Sequence, residues 1–131
     1  MAAPPGASIA GALTAAAGEI AERLDLDLDL DLDVTAGIGL APAQADALVR
    51  IACEALTNAA RHSGSRQVSL IVRRDGGRVH MRVRDSGQGF DVASSRRGFG
   101  LTSMRDRARS VGGELRISSE PGVGSQVEAM L

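Results

Sequence analysis

The segment that decides the fold is residues 42 to 63, which read PAQADALVRIACEALTNAARHS. Pro42 stands at the position where a helix accepts proline best, its first residue, and Gly64 follows as a stop signal. The apolar residues between them recur at helical spacing, and they are Leu48, Ile51, Ala52, Ala55, Leu56 and Ala59. This spacing predicts an amphipathic helix whose apolar stripe packs against the core.

Two further elements are predicted before this helix. The Ala-rich residues 7 to 23 predict a shorter helix, and residues 24 to 34, where leucine alternates with aspartate, predict a strand with one buried face and one wet face. The aspartates of that strand are Asp25, Asp27, Asp29, Asp31 and Asp33. A calcium site is one interpretation of this acidic row, but side chains spread along a strand face do not converge on one cation, which favours a solvated face.

Two hairpins and one more helix are predicted after it. Residues 68 to 72 and 79 to 83 alternate between apolar and polar around a Gly-Gly turn, and residues 114 to 119 and 125 to 131 flank a Pro-Gly turn. The helix between the hairpins carries the apolar residues Leu101, Met104, Ala108 and Val111. Helices mixed with hairpins predict a two-layer α/β sandwich, in which a mixed, mainly antiparallel sheet has its helices on one face.

Composition limits the classes of function. The chain has 131 residues, enough for one core, and we expect residues 1 to 6 to be a flexible leader and residues 7 to 131 to be a single domain. A net charge of -1 and an aromatic content of 2% argue against nucleic acid as a partner. No apolar stretch is long enough to span a membrane, so we expect a cytoplasmic protein segment without membrane contact. Cys53 is the single cysteine, which excludes an internal disulfide.

The first candidate for chemistry is a polar line on the central helix. Glu54 and Asn58 are four residues apart and lie along one flank of the apolar stripe, and Arg61 and His62 extend that flank by a turn. A carboxylate and an amide oxygen at this border can orient a water and ligate a hard cation such as Mg²⁺. A solvated polar flank is the alternative interpretation.

The second candidate is Asp85, which has the same strand parity as Val79, Met81 and Val83 and therefore points into the core layer. The glycine-containing stretch that follows it lets the backbone approach a ligand closely, and an inward carboxylate can accept from the exocyclic amino group of a base. The alternative is an aspartate that only caps the local backbone.

The third candidate is the stretch from Gly98 to Leu101, which opens the second helix. Free N-H groups at a helix start favour phosphate, although a lone Gly-x-Gly is common. It is neither a Walker A loop nor a dinucleotide fingerprint, because no GK[ST] follows and Ser103 stands where the third glycine belongs. Residues 91 to 97 precede it and are either a solvated loop or a lid over a nucleotide.

Taken in chain order, these stretches resemble a known family. Residues 54 to 63 (EALTNAARHS), 85 to 90 (DSGQGF), 98 to 101 (GFGL) and 124 to 125 (GS) resemble the N, G1, G2 and G3 boxes of the histidine-kinase ATP-binding domain. The resemblance covers roughly residues 40 to 131. The first stretch, together with GLTSMRDRARSVGG, looks like the nitrate-sensor and DesK-type subfamily. The wider family is the Bergerat ATPase fold, shared with gyrase and the ninety-kilodalton heat-shock chaperone.

The resemblance implies a site for ATP and Mg²⁺. Asn58 would hold the Mg²⁺ ion, Glu54 would act near the attacking nucleophile, and Arg61 and His62 would approach the phosphates.

The resemblance also assigns the base and the phosphate chain. Asp85 would accept from the adenine amino group with the help of a water and of Ser125, and Gly87 and Gly89 would let the base lie against the backbone. The phosphate chain would meet the third stretch, which consists of Gly98, Phe99, Gly100 and Leu101.

The resemblance finally implies a partner. The family's phosphoacceptor histidine lies on a separate dimerisation domain, and the histidines of this chain, His62 and His80, lack the helical setting of an acceptor. We therefore expect transfer of the γ-phosphoryl group to a histidine on that domain, and through it to a response regulator. The abrupt start of the chain suggests the catalytic piece of a longer sensor kinase, which could be membrane-anchored. An anti-sigma-factor serine kinase and a non-catalytic ATP-binding interaction module are the alternatives.

Overall fold

The computed structural model describes residues 9–33, 35–36, 39–62, 64, 66–87 and 101–131. Within these ranges the chain forms three helices and five strands in a mixed order. The helices are α1 (Ile9–Leu24), α2 (Pro42–His62) and α3 (Leu101–Ser110). The strands are β1 (Asp27–Leu32), β2 (Gln67–Asp75), β3 (Arg78–Asp85), β4 (Glu114–Glu120) and β5 (Gly124–Met130).

The five strands form one sheet in the order β1-β2-β3-β5-β4. β1 and β2 run parallel, and the other neighbours are antiparallel. The crossover between the parallel strands contains α2, as a parallel connection requires. The predicted mixed, mainly antiparallel sheet is therefore confirmed.

The turn between β2 and β3 shows why this hairpin could be predicted. Gly76 and Gly77 have φ angles of 57° and 83°, which lie in the left-handed region. A two-residue hairpin turn of type I′ requires positive φ at both of its central residues. Only glycine adopts this region without steric cost, so the Gly-Gly pair fixes the register of the two strands. Because alternate residues of a strand share a face, Val79, Met81 and Val83 of β3 all point to the buried side.

The core lies between one face of the sheet and the helices. α2 contributes most of the helical side of the core through the residues Ala47, Leu48, Ile51, Ala52, Ala55, Leu56 and Ala59. The facing strand residues are Val68, Leu70, Val72, Val79, Met81, Val83, Val127 and Ala129. α2 contacts β2, β3 and β5, while α1 packs against α2 and α3 packs against α2 and β4. The predicted sandwich with helices on one face is confirmed.

The Leu-Asp segment is shorter as a strand than predicted. Leu24 is the last residue of α1, and β1 begins at Asp27. Between them Asp25 has a φ of 57°, which changes the direction of the chain. The leucines of β1 are only half-buried, because β1 is an edge strand of the sheet with a single neighbour among the described strands. The predicted strand from residue 24 to 34 was therefore wrong at its start, although half-buried leucine and exposed aspartate alternate from Leu24 to Leu32. Val34 lies outside the described residues.

Other boundaries shift by a residue or two. The first described residue of α1 is Ile9, and the proposed leader, residues 1 to 6, lies outside the described residues. α3 ends at Ser110, so Val111 packs against the core from the turn that follows rather than from the helix. Within the described residues, none of the helices is long and apolar enough to cross a membrane.

Candidate functional site

The last residue of β3, Asp85, places a buried carboxylate on the helix side of the sheet. Asp85 is 7% exposed and is the one charged residue among the buried residues that the structure describes. Its Oδ1 accepts a hydrogen bond from the backbone N-H of Gly87 at 3.0 Å, and its Oδ2 accepts one from the hydroxyl of Ser125. The inward orientation predicted from strand parity is confirmed, and the carboxylate also fixes the local turn, as the capping alternative required.

The carboxylate belongs to a polar row that crosses three strands. Asp85 pairs in register with Ser125, and Ser125 pairs with Ser119 of β4. One pair further along the same face, Val83 lies opposite Val127, so the lining changes from polar to apolar within about 7 Å, two residues along a strand. A polar group of a flat ligand can therefore meet Asp85 while the rest of the ligand lies against aliphatic side chains.

The backbone approaches closely at the start of β5. Gly124 has a φ of 143°, and a Cβ atom on this residue would lie 2.2 Å from the carbonyl oxygen of Asp85. Any side chain would push β5 away from β3 where Ser125 reaches the carboxylate. The close approach at Gly124 was not predicted from the sequence, although the glycine directly before Ser125 was the available signal for it.

The polar line on α2 is present as predicted. Glu54, Asn58 and His62 are half-buried, and Arg61 is exposed. The Oε2 atom of Glu54 is buried and has no hydrogen-bond partner among the described residues. A buried acceptor without a donor costs about 1 to 3 kcal/mol, so this oxygen is available to a donor that the described residues do not supply.

The other flank of α2 is occupied by α1. Cys53 lies close to Glu19 and Arg23 of α1, and burial of the Cys53 thiol together with the charge of Glu19 raises its pKa. Because successive helical residues are about 100° apart, Glu54 and Asn58 lie on the opposite side of the buried stripe from Cys53. The helix layer therefore leaves their flank uncovered by α1.

Glu54 and Asn58 on α2 fit a magnesium ion that is also coordinated by a bound ligand. The carbonyl oxygen of Asn58 and the carboxylate of Glu54 are hard oxygen donors of the kind that Mg²⁺ prefers. No group of three or more His, Cys, Asp or Glu side chains comes together in the part of the chain that the structure describes. This donor set suits an ion that takes most of its ligands from phosphates and water, and it does not suit a closed metal cage.

The third candidate stretch is only partly visible. Leu101 is the first residue of α3, and its side chain is 3% exposed and packed in the core. The remaining predicted residues of this region lie outside the described residues, and they are Gly89, Gly98, Phe99, Gly100 and the loop of residues 91 to 97. The side chain of Leu101 therefore serves packing, and only its backbone is available to a ligand.

The family of the chain follows from its match over two thirds of its length. Residues 43–131 match the family described as histidine kinase-, DNA gyrase B- and HSP90-like ATPase. The chain belongs to this family. The motif order that the sequence analysis compared with histidine-kinase ATP-binding domains is thereby confirmed at the level of the family.

Curated relatives narrow the class further. The chain is 39% identical over 87 residues to sensor histidine kinase LiaS of Bacillus subtilis, a match that covers 63% of the chain and 23% of LiaS. It is 34% identical over 84 residues to sensor protein VraS of Staphylococcus aureus, which covers 63% of the chain and 24% of VraS. The chain is thus a histidine-kinase-type ATPase domain that spans about a quarter of the length of these relatives.

Solved structures show the same fold at low identity. The histidine kinase domain of the blue-light activated histidine kinase of Erythrobacter litoralis EL346 superposes with a TM-score of 0.81 at 20% identity, covering 100% of this chain and 65% of that one. Histidine kinase AdeS of Acinetobacter baumannii gives a TM-score of 0.70 at 15% identity, covering 94% and 62%. The arrangement of α1, the sheet and the other helices is therefore that of the histidine kinase domains.

Proposed function

We propose that this chain binds ATP with Mg²⁺ and donates the γ-phosphoryl group to a histidine on a separate dimerisation domain, from which a response regulator takes it. The single observation that carries the proposal is the buried Asp85 carboxylate, held between the Gly87 N-H and the Ser125 hydroxyl at the edge of an apolar face. A carboxylate held in this way accepts hydrogen bonds and rejects other acceptors, which suits the amino group of adenine.

The role of Asp85 depends on its being fixed before the ligand arrives. Two protein donors already bind its oxygens, and each carboxylate oxygen has a second lone pair to offer a ligand. Adenine presents an amino group at the position where guanine presents a carbonyl oxygen. We therefore expect ATP to be accepted and GTP to be rejected, because an unpaired oxygen facing a carboxylate is repelled.

The polar line on α2 supports the phosphate end of the site. Asn58 would hold Mg²⁺, which supplies charge neutralisation on the phosphates when it is bound. Glu54 would accept or orient the proton of the attacking histidine, since its Oε2 is buried and lacks a donor among the described residues. Arg61 and His62, at the last turn of α2, would contact the phosphates.

The positions of the two histidines support an acceptor outside these elements. His62 is the last residue of α2, within the proposed site itself. His80 points to the other face of the sheet, where its Nε2 is 2.8 Å from Oε2 of Glu128. The sheet therefore separates His80 from Asp85, and transfer to His80 within one molecule would have to cross the sheet.

Labelling in trans tests the proposal. The chain is incubated with γ-labelled ATP, alone and with an added dimerisation domain that carries the acceptor histidine of a related sensor kinase. We expect acid-labile label on the added domain and none on the chain, at a low rate that rises with the concentration of the added domain, because linkage no longer supplies an effective concentration.

Three other results would contradict the proposal. Acid-labile self-labelling that disappears in a His62→Ala variant would place the acceptor within the chain. Acid-stable label on a partner serine would identify an anti-sigma-factor type of serine kinase. ATP binding without transfer to any histidine-bearing domain from sensor kinases of this type would identify an interaction module.

A further inference from the structure

The sheet has an open edge at β1. The one neighbour of β1 among the described strands is β2, and the strand order places β1 at the end of the sheet. We call the six residues Asp27–Leu32 the acidic edge. None of the residues assigned to ATP lies on this strand, so a role for the acidic edge is independent of the proposed function.

The hydrogen bonds to β2 show which backbone groups face the open side. The N-H of Asp27 donates to the carbonyl of Arg66 at 2.7 Å, and the N-H of Asp33 donates to the carbonyl of Val72 at 3.0 Å. Because the backbone groups of successive strand residues point to opposite sides, the odd-numbered residues of β1 face β2. The residues between them therefore direct their N-H and C=O groups away from the sheet, and they are Leu28, Leu30 and Leu32.

Two carboxylates of the acidic edge have no basic partner among the described residues. Asp27 and Asp29 are exposed and take part in none of the ion pairs found there. The other aspartates of this segment are bound within the chain, and their partners are Arg66 for Asp25, Arg73 for Asp31 and Thr35 for Asp33. The negative charge of the two remaining carboxylates is therefore available to a partner.

The neighbouring strand does not neutralise these two carboxylates. The register partners of Asp27 and Asp29 on β2 are Gln67 and Ser69, which are both uncharged. Arg84 of β3 lies beyond Ser69, two strand spacings or about 9.6 Å from Asp29. A basic residue on a strand added outside β1 would be one spacing away, at about 4.8 Å, and would be the nearer partner.

The helix side of the same edge is apolar. Leu28, Leu30 and Leu32 pack against the core but are only half-buried, because none of the described strands covers their outer flank. The edge thus presents aspartate on one face and leucine on the other, with free backbone groups between them. An extended peptide whose residues alternate between basic and apolar matches all three features.

We propose that the acidic edge is a docking site for an extended basic segment of a partner protein, which adds as a strand beside β1. Its backbone would bond to the free groups of the three leucines, and its lysine or arginine side chains would lie opposite Asp27 and Asp29. Basic residues at every second position repeat at about 6.6 to 6.8 Å, which is also the spacing of these two aspartates along β1. The same aspartates repel an acidic strand, so the edge selects its partner by charge.

The experiment uses a synthetic peptide in which lysine alternates with valine over about seven residues, close to the length of β1. Amide hydrogen exchange of the whole chain is followed by NMR at low salt, with and without the peptide. In the free chain the N-H groups of Leu28, Leu30 and Leu32 should exchange faster than those of Asp27 and Asp33. Saturating peptide should slow the three leucine amides about tenfold or more, because they become hydrogen-bonded.

Charge variants test the two carboxylates. Asp27→Asn with Asp29→Asn should weaken peptide binding about tenfold, because exposed ion pairs are individually weak and two are removed. Raising the ionic strength should weaken binding as well. Glu114→Gln with Glu120→Gln removes the same charge from exposed positions of β4, the opposite edge of the sheet, and should leave binding unchanged.

A backbone variant tests strand addition without a change of charge. Leu30→Pro removes an N-H that faces the open side, a position at which an edge strand tolerates proline. It should reduce binding more than Leu30→Ala, which loses the same side chain and keeps the N-H. The thermal midpoint shows whether each variant is folded, and each should bind ATP as the unchanged chain does, which keeps this test apart from that of the proposed function.

Several outcomes would overturn the proposal. It is wrong if the peptide does not bind the unchanged chain at low salt, or if it binds the Asp27→Asn, Asp29→Asn variant equally well. Equal binding of a peptide with glutamate in place of lysine, or of one with its lysines grouped together, would exclude recognition by alternating charge. If the leucine amides are already protected and sedimentation shows a dimer, the edge holds a second copy of the chain instead of a basic segment.

Discussion

The hydroxyl of Ser125 donates a hydrogen bond to Oδ2 of Asp85, although the two residues are 40 positions apart in the chain. They meet because β3 and β5 are antiparallel neighbours in which Asp85 and Ser125 form a register pair. The carboxylate is thus held by a residue of β5, the second strand of the last hairpin. The geometry of the proposed base site therefore depends on completion of the sheet.

Asp85→Asn should weaken ATP binding by about 1 to 3 kcal/mol, because the amide replaces one charged acceptor by a donor and disturbs the bond from Ser125. Calorimetry with ATP and with GTP measures the effect. Asp75→Asn, a matched change at the exposed end of β2, should have no effect. Equal affinity of the unchanged chain for ATP and GTP would remove the adenine assignment.

Asn58→Ala should remove most of the gain in ATP affinity that Mg²⁺ provides, and should change nucleotide binding without metal only a little. The reason is that the proposed cation contact and the adenine contacts lie at opposite ends of the ligand. The measurement is ATP affinity with and without Mg²⁺, with metal-free ADP as the control. An equal gain from Mg²⁺ in both proteins would show that Asn58 is not a ligand.

Glu54→Gln should lower the rate of phosphoryl transfer to the added histidine domain with little change in ATP affinity, if the carboxylate acts on the nucleophile in the transition state. Asp46→Asn makes the same change of charge at an exposed position of α2 and should leave the rate unaltered. A parallel loss of rate and affinity in Glu54→Gln would indicate a structural role instead.

Cys53 should react slowly with thiol reagents near pH 8. Burial raises the pKa of its thiol, so a smaller fraction is thiolate at this pH than for a free cysteine, and α1 also restricts access. The rate should rise when the chain is unfolded in denaturant and should rise with pH in the folded chain. Equal rates in the folded and unfolded states would contradict the packing of α1 against α2.

Strand parity and turn chemistry were the features that the sequence predicted well. The inward direction of Asp85 followed from the alternation of Val79, Met81 and Val83, and the hairpin before it followed from a Gly-Gly pair. Both features follow local rules. The face to which a strand residue points is fixed by alternation along the strand, and the turn is fixed by its own two residues. The family followed from the order of four short motifs, which local structure alone would not have given.

Long-range relationships could not be predicted in the same way. That Gly124 must be a glycine depends on the distance from its backbone to the carbonyl of Asp85, which is set by the pairing of β3 with β5. That the leucines of β1 are half-buried depends on the place of β1 at the edge of the sheet. The order of strands in a sheet is decided by packing, and a single sequence carries little direct record of it.

The acidic side of β1 also affects which chains can pair with this edge of the sheet. An edge strand offers unpaired N-H and C=O groups to any other extended chain, and the run DLDLDL has the alternation that such pairing favours. A second copy added in register would place each of Asp27, Asp29 and Asp31 about 4.8 Å from its equivalent, where like charges repel. The aspartates therefore disfavour the pairing of a second copy of β1 with this edge of the sheet.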